Sequence, residues 1–220
     1  MKKVTVQQKI LSANEETALK NQLLFVEKKK LCLNLISSPG SGKTTLLTRT
    51  IKTINTELRI GVIEGDIQTD LDAERIRATK APAVQINTEG ACHLSATQVQ
   101  QALQQLPIDD LDLIMIENVG NLVCPGAFEL GERGKVVVLS VAEGDDKPVK
   151  YPAIFAKSMA LVINKIDLLA LGADDDFDIE KVKADAKRLN PNIHIFPVSA
   201  KTGEGIDAWC KWLKQMVAGC

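Results

Sequence analysis

Residues 31–47 read LCLNLISSPGSGKTTLL, a short apolar run that leads into a glycine-rich turn and then an amphipathic stretch. The turn matches the pattern G-x-x-x-x-G-K-[ST], in which backbone N–H groups surround nucleotide phosphates at the start of a helix. Ser37 stands where the pattern has its first glycine. Because the motif lies between a predicted strand and a predicted helix, as it requires, we predict a phosphate-binding loop in spite of Ser37.

Two residues of this loop have direct chemical roles in the prediction. Lys43 can reach the β- and γ-phosphates, and Thr44 can offer its hydroxyl to Mg²⁺. A chance glycine-rich turn is the alternative interpretation, and the run GSGKTT at residues 40–45 behind an apolar strand disfavours it. The loop alone does not select the base of the nucleotide.

Two later motifs indicate guanine. Residues 164–167 read NKID after an apolar run and match the N-K-x-D pattern of GTPases, and residues 199–201 read SAK and resemble the element whose backbone N–H contacts guanine O6. The carboxylate of Asp167 can accept hydrogen bonds from guanine N1–H and from its exocyclic amine, while the stem of Lys165 covers the base. We therefore predict GTP rather than ATP. The predicted nucleotide-binding residues are Gly40, Ser41, Gly42, Lys43, Thr44, Thr45, Asn164, Lys165, Asp167, Ser199, Ala200 and Lys201.

Around these motifs, short apolar runs alternate with longer amphipathic stretches, which predicts an α/β fold with a mostly parallel sheet and helices on both faces. Residues 4–29 predict an amphipathic helix packed against the main domain. We therefore divide the chain into an N-terminal helical extension, residues 1–30, and a GTPase domain, residues 31–220. The predicted strands lie near residues 31–36, 59–64, 83–86, 111–116, 135–141, 160–164 and 193–197.

Three carboxylates are candidates for the magnesium site and for catalysis. Glu117 ends a buried-strand pattern that resembles a Walker B strand, with glutamate in place of the commoner aspartate. Asp66 and Asp72 lie where a strand gives way to a predicted switch segment, and could hold Mg²⁺, position the attacking water, or cap the following helix. With Lys43 they form the predicted catalytic set. No glutamine stands at the water-orienting position of Ras-like proteins, so we expect slow hydrolysis or completion of the site by a partner subunit.

Cysteine and histidine residues suggest a second metal site. Cys92, His93 and Cys124 offer two thiolates and an imidazole, donors that suit zinc or nickel and leave one coordination position open. An adjacent Cys-His pair is more often a packed thiol beside a polar ring. However, both segments follow predicted strand ends at one sheet edge, so we expect them to meet there. Residues 117–124 would then connect the magnesium shell to a metal ligand and give the nucleotide state a route to metal affinity.

The composition of the chain limits the classes of binding partner that we expect. A formal net charge of -1 gives no electrostatic case for binding nucleic acid or an anionic membrane. The sequence has neither an apolar run long enough to span a membrane nor an apolar signal core near Met1. The five cysteines are scattered and odd in number, which favours a reducing compartment over a disulfide framework. We expect a cytoplasmic protein without nucleic-acid or membrane partners.

The chain resembles the HypB family, GTPases of the SIMIBI class of P-loop proteins that also contains UreG. The resemblance rests on residues 37–45, 64–75, 92–94, 117–125, 143–146 and 164–167, of which CHL and ENVGNLVCP are specific to HypB. It implies a homodimer that binds nickel or zinc through Cys92, His93 and Cys124 near a nucleotide-promoted interface. It also implies nickel insertion into a [NiFe] hydrogenase large-subunit precursor, with a HypA-like accessory protein. Nickel storage is not expected, because the sequence has only two histidines and no cysteine-rich nickel motif.

Two alternatives stay open at this point. One is a UreG-like GTPase for urease maturation, although a C-P-H metal pattern is typical there and Gly126 follows Pro125 here. The other is a GTP-regulated scaffold whose zinc at Cys92, His93 and Cys124 is purely structural. The apolar run LLAL at residues 168–171 could belong to the core or to a dimer interface that responds to the nucleotide.

Overall fold

A seven-stranded sheet forms the centre of the computed structural model, which describes residues 6–66, 75–171 and 177–220. The strands are β1 Leu31–Ser37, β2 Ile60–Asp66, β3 Ala83–Asn87, β4 Leu113–Glu117, β5 Gly134–Ser140, β6 Ser158–Asn164 and β7 His194–Pro197. They are all parallel, in the order β3-β2-β4-β1-β5-β6-β7. The predicted α/β class and each of the seven predicted strands are confirmed.

The strand ends differ slightly from the prediction. The fourth strand begins at Leu113 rather than at Leu111, because Leu111 closes a 3₁₀ turn over Ile108–Asp110, with its N–H on the Ile108 carbonyl at 3.2 Å. Apolar side chains in such a turn can be buried like those of a strand, so the apolar run alone did not mark the boundary.

Helices cover both faces of the sheet, as predicted. The helices whose bounds the structure describes are α1 Val6–Glu27, α2 Lys43–Ile54, α3 Ala96–Leu103, α4 Cys124–Ala127, α5 Lys147–Lys150, α6 Pro152–Lys157, α7 Ile179–Leu189 and α8 Ile206–Ala218. Helices α2 and α8 pack on one face, whereas α1, α3, α6 and α7 pack on the other. Strands that are buried on both faces need apolar side chains in both directions, which explains why they appear in the sequence as continuous apolar runs.

The position of β1 determines where the sheet can bind a ligand. It pairs with β4 on one side and β5 on the other, so the connections of its neighbours diverge at its carboxyl end. In open α/β sheets the ligand crevice forms at such a point. The phosphate loop follows β1 directly and therefore opens into that crevice.

Helix α1 is tied to the main domain by buried amides. Asn21 Nδ2 donates to the carbonyls of Ala96 and Leu130, each at 2.9 Å, and Asn14 Oδ1 accepts from Ala96 N at 2.8 Å. The division of the chain at residues 30 and 31 stays a prediction. Within the described residues, no helix combines the length and the apolar character needed to cross a membrane.

Candidate functional site

The phosphate loop connects β1 to α2 through two glycines in the left-handed region. Gly40 has φ +78° and Gly42 has φ +90°. Gly42 also leaves no room for a side chain, because a Cβ there would lie 2.6 Å from Nδ2 of Asn164. The turn therefore needs glycine both for its backbone conformation and for its contact with the end of β6.

Ser37, which replaces the usual first glycine, has a defined contact. Its hydroxyl accepts a hydrogen bond from Lys43 Nζ at 2.7 Å and donates to the Ser38 carbonyl at 2.6 Å. Both Ser37 and Lys43 are buried. The serine thus holds the lysine ammonium over the loop, where the ammonium could bind phosphate oxygens.

Thr44 and Glu117 bring two oxygen donors together at the ends of α2 and β4. Thr44 Oγ1 donates to Glu117 Oε1 at 2.8 Å, and both residues are buried. A hydroxyl beside a carboxylate is a hard donor set that fits Mg²⁺, with phosphate oxygens and water supplying the remaining ligands. Asp66 is the last residue of β2, and Asp72 lies outside the described residues.

A cavity of about 350 Å³ lies over this loop. Besides Lys43, Thr44 and Glu117, its lining includes Glu64 and Arg75. Glu64 is buried and aligned with Glu117 across β2 and β4. Sequence reasoning did not single out Glu64 as a site residue, although an acid within the buried run IGVIEGD was a signal for it.

The predicted guanine-reading residues reach back to the phosphate loop. Asn164 Nδ2 donates to the Ser41 carbonyl at 2.9 Å, and Lys165 Nζ donates to the Gly40 carbonyl at 2.7 Å. Asn164 Oδ1 accepts from Ala200 N at 3.1 Å. One side chain therefore connects the phosphate loop, the end of β6 and the loop after β7.

The carboxylate of Asp167 lies beside the same loop. Its Oδ1 accepts a hydrogen bond from Ser199 Oγ at 2.6 Å. Arg49 of α2, which sequence reasoning missed, binds this loop from the other side. Its Nε donates to the Ala200 carbonyl at 3.0 Å, and its Nη2 to the Lys201 carbonyl at 2.5 Å. No local pattern connects Arg49 to a loop so distant in sequence.

The predicted thiol and imidazole ligands meet at the same edge of the sheet. The Sγ atoms of Cys92 and Cys124 and a ring nitrogen of His93 all lie within 4.8 Å of one another. Cys92 is exposed, whereas His93 and Cys124 are half-buried. The ring of His93 stacks on Phe128 with centroids 3.8 Å apart, so that a residue missed from the sequence fixes the plane of the imidazole.

The protonation chemistry of these groups follows from their surroundings. Hydrogen bonding to Cys124, and then burial, raises the pKa of the Cys92 thiol, while burial lowers the pKa of His93. A neutral imidazole is the form that binds a metal ion, whereas a thiol must lose its proton to do so. The donor set fits a borderline ion such as zinc or nickel better than magnesium.

Known proteins resemble this chain in sequence and in fold. Residues 31–197 match the family model described as CobW/HypB/UreG, nucleotide-binding domain. The hydrogenase maturation factor HypB of Escherichia coli K12 is 51% identical over 205 residues, which cover 93% of this chain and 70% of the relative.

Two solved structures are similar along most of the chain. The crystal structure of the hydrogenase maturation factor HypB from Archaeoglobus fulgidus has a TM-score of 0.86 and 40% identity, covering 94% of this chain and 100% of that one. The crystal structure of HypB from Helicobacter pylori in complex with nickel has a TM-score of 0.87 and 36% identity, covering 94% and 96% respectively.

Proposed function

Because this chain belongs to the CobW/HypB/UreG family, and within it to the HypB hydrogenase maturation factors of the SIMIBI P-loop class, we propose that it is a GTP-hydrolysing metallochaperone for nickel. In this proposal it assists nickel insertion into a [NiFe] hydrogenase. One observation supports the proposal: the phosphate loop with the residues proposed to read guanine, and a Cys-His-Cys cluster, lie at the same edge of one sheet.

The nucleotide chemistry is assigned to residues that are already in contact. Asp167 would read the guanine edge, the backbone of the SAK loop would contact O6, and Lys43 would bind the β- and γ-phosphates. Thr44 and Glu117 would hold Mg²⁺, which neutralises phosphate charge when bound. Asp66 and Asp72 are proposed to complete the magnesium shell or to position the attacking water. Slow hydrolysis suits a switch better than a metabolic enzyme.

Nickel or zinc is proposed as cargo at Cys92, His93 and Cys124. Three protein donors leave a coordination position through which a receiving protein can take the ion, whereas structural zinc sites are usually closed by four ligands. The nickel complex of HypB from Helicobacter pylori supports nickel as the ion. No contact among the described residues favours the alternative, a scaffold with a structural zinc ion.

A second copy of the chain is the proposed partner at this edge. Val123, directly before Cys124, is 63% exposed, and a second copy docked at this edge would cover it. Leu168 and Leu169 are half-buried against the core, and Ala170 beside them is exposed. We also propose contacts with a hydrogenase large-subunit precursor and a HypA-like accessory protein, and a location in the cytoplasm.

The decisive experiment measures Ni²⁺ and Zn²⁺ affinity of the protein in its GDP form and with a non-hydrolysable GTP analogue, together with its oligomeric state. We expect the two nucleotide states to differ about fivefold or more in affinity for at least one of the ions. We also expect the GTP analogue to shift the protein toward dimers. Equal affinities in both states would contradict gated delivery and support the structural zinc alternative.

A further inference from the structure

A pair of buried amides lies beneath the nucleotide site. Asn34 in the middle of β1 is 0% exposed, and Asn118, directly after β4, is 1% exposed. Buried polar side chains reduce stability unless they are fully hydrogen-bonded, so such a pair needs a structural or functional reason. The neighbour of Asn118 is Glu117, which accepts the hydrogen bond of Thr44.

The amide of Asn118 joins two parts of the molecule. Its Nδ2 donates to Asn34 Oδ1 at 3.1 Å, while its Oδ1 accepts from the backbone N–H of Leu94 at 3.2 Å and of Val119 at 3.0 Å. Because two backbone donors point at Oδ1, the orientation of the amide is determined by its contacts. Leu94 follows His93 directly, so Asn118 holds the loop that carries two of the three candidate metal ligands.

The other end of this connection is anchored in the core. Asn34 Nδ2 donates to Glu132 Oε1 at 3.0 Å, and the buried Lys135 Nζ contacts the same carboxylate oxygen at 2.9 Å. Leu130 N donates to Glu132 Oε2 at 2.7 Å. A network whose members satisfy one another favours one arrangement, so Asn34, which accepts the hydrogen bond of Asn118, is held by buried protein groups rather than by solvent.

Leu94 makes a second contact with the nucleotide side. Its side chain is fully buried and lies over Gly65, where an added Cβ would come within 2.8 Å of Leu94 Cγ. Gly65 lines the cavity over the phosphate loop and precedes Asp66. The residue after His93 therefore lies at the carboxyl ends of both β2 and β4, the strands that end in Asp66 and Glu117.

We propose that Asn118 is a positioning residue that couples the nucleotide site to the Cys92–His93 loop through its hydrogen bonds to Leu94 and Asn34. The inference rests on the proposed function, since it assigns the coupling of two sites to one side chain. Consecutive residues of an extended chain point to opposite sides, so Glu117 can face Thr44 while Asn118 faces the metal loop. A displacement of Glu117 on nucleotide exchange then moves the acceptor of the Leu94 N–H.

The test compares the wild-type protein with Asn118→Ala and with a matched control, Asn190→Ala. Asn190 likewise donates an amide hydrogen bond, in its case to the backbone carbonyl of Ser158 at 2.8 Å, but it lies beside the amino end of β6. For each protein, Ni²⁺ affinity is measured with GDP and with the non-hydrolysable GTP analogue. We expect the ratio of the two affinities to fall from about fivefold or more to near one in Asn118→Ala, and to be retained in Asn190→Ala.

Two further measurements keep the proposal testable if Asn118→Ala folds poorly. Asn118→Asp retains an oxygen acceptor for the Leu94 N–H but loses the donor to Asn34, and we expect it to keep part of the ratio. Amide hydrogen exchange at Leu94 should be slow in the wild-type protein and faster in Asn118→Ala than in Asn190→Ala.

The outcomes separate this inference from the proposed function. An unchanged affinity ratio in a folded Asn118→Ala protein, or full loss of the ratio in Asn190→Ala as well, would overturn the coupling role and leave the metallochaperone proposal intact. A ratio of one in the wild-type protein would overturn both.

Discussion

The nucleotide site and the metal cluster share an edge of the sheet but are built differently. In the nucleotide site, buried side chains from α2, β4 and the end of β6 form hydrogen bonds across the crevice, as the contacts of Thr44 and Asn164 show. The metal cluster has an exposed thiol, and it is formed by a short loop, the first residue of α4 and one stacked ring. A preorganised site binds its ligand with little ordering cost, whereas a superficial one can exchange an ion with a partner.

This difference matches two proposed roles. In the proposed function, the protein would retain GTP long enough to define a state, and it would release its metal ion to another protein. Burial and cross-element hydrogen bonds suit the first requirement, and an open, surface-exposed donor set suits the second. The three tests below would break or sharpen this contrast.

The largest effect is expected from Asp167→Asn. Asparagine retains an oxygen that can accept the Ser199 hydroxyl, but its amide replaces an acceptor with a donor that faces the guanine donors. We expect GTP affinity to fall roughly a thousandfold or more, and XTP affinity to rise, because xanthine offers an oxygen at that position. Calorimetric titration with GTP and XTP checks this, and unchanged GTP affinity would contradict the guanine assignment.

A smaller effect is expected from Cys124→Ser, because the cluster keeps two of its three donors. Loss of a residue that hydrogen-bonds to a metal ligand can lower metal affinity roughly hundredfold. Loss of a ligand itself should lower the affinity for Ni²⁺ or Zn²⁺ by at least as much. Cys220→Ser is the matched control, since Cys220 is exposed and lies outside the cluster. Equal affinities of the two variants in a competition assay with a chromogenic chelator would remove Cys124 from the metal site.

The smallest effect is expected from Arg49→Ala, which tests whether the nucleotide site depends on contacts between distant elements. Loss of both hydrogen bonds to the SAK loop should weaken GTP binding about tenfold, and Arg49→Lys should lie between. Discrimination against 6-thio-GTP should fall as well, because this loop is the one assigned to O6. Arg188→Ala, which removes an exposed arginine paired with Asp185, is the control. If Arg49→Ala binds GTP as tightly as Arg188→Ala does, Arg49 contributes only to packing.

Much of the fold could be predicted from the sequence, because buried parallel strands appear there as continuous apolar runs. The runs around Leu33 and Ile114 gave the positions of their strands, and the rule that ligands bind at the carboxyl ends of parallel strands then placed Cys92, His93 and Cys124 at one edge. Motif residues could also be found from the sequence, because their spacing reflects a local turn, as in the glycine-rich loop at residues 40–45.

The residues that the sequence did not reveal act through long-range contacts. Arg49 meets Ala200 and Lys201 across most of the chain, and Phe128 meets His93 from a different loop. Nothing in the neighbouring sequence distinguishes such residues from ordinary surface or core positions. Asn34 carried a weak signal, since an amide inside the run LCLNLIS must find a buried partner. The identity of that partner needed the tertiary structure.

The five thiols differ in exposure, so their alkylation rates can report whether the metal site is occupied. Cys32 and Cys210 are buried, and burial raises the pKa of both, that of Cys210 to about 11, so alkylating reagents should reach them only slowly. Cys220 is exposed and belongs to no metal cluster in the described part of the chain. The alkylation rate of Cys92, divided by that of Cys220, would therefore follow metal loading of the wild-type protein without an attached dye or tag.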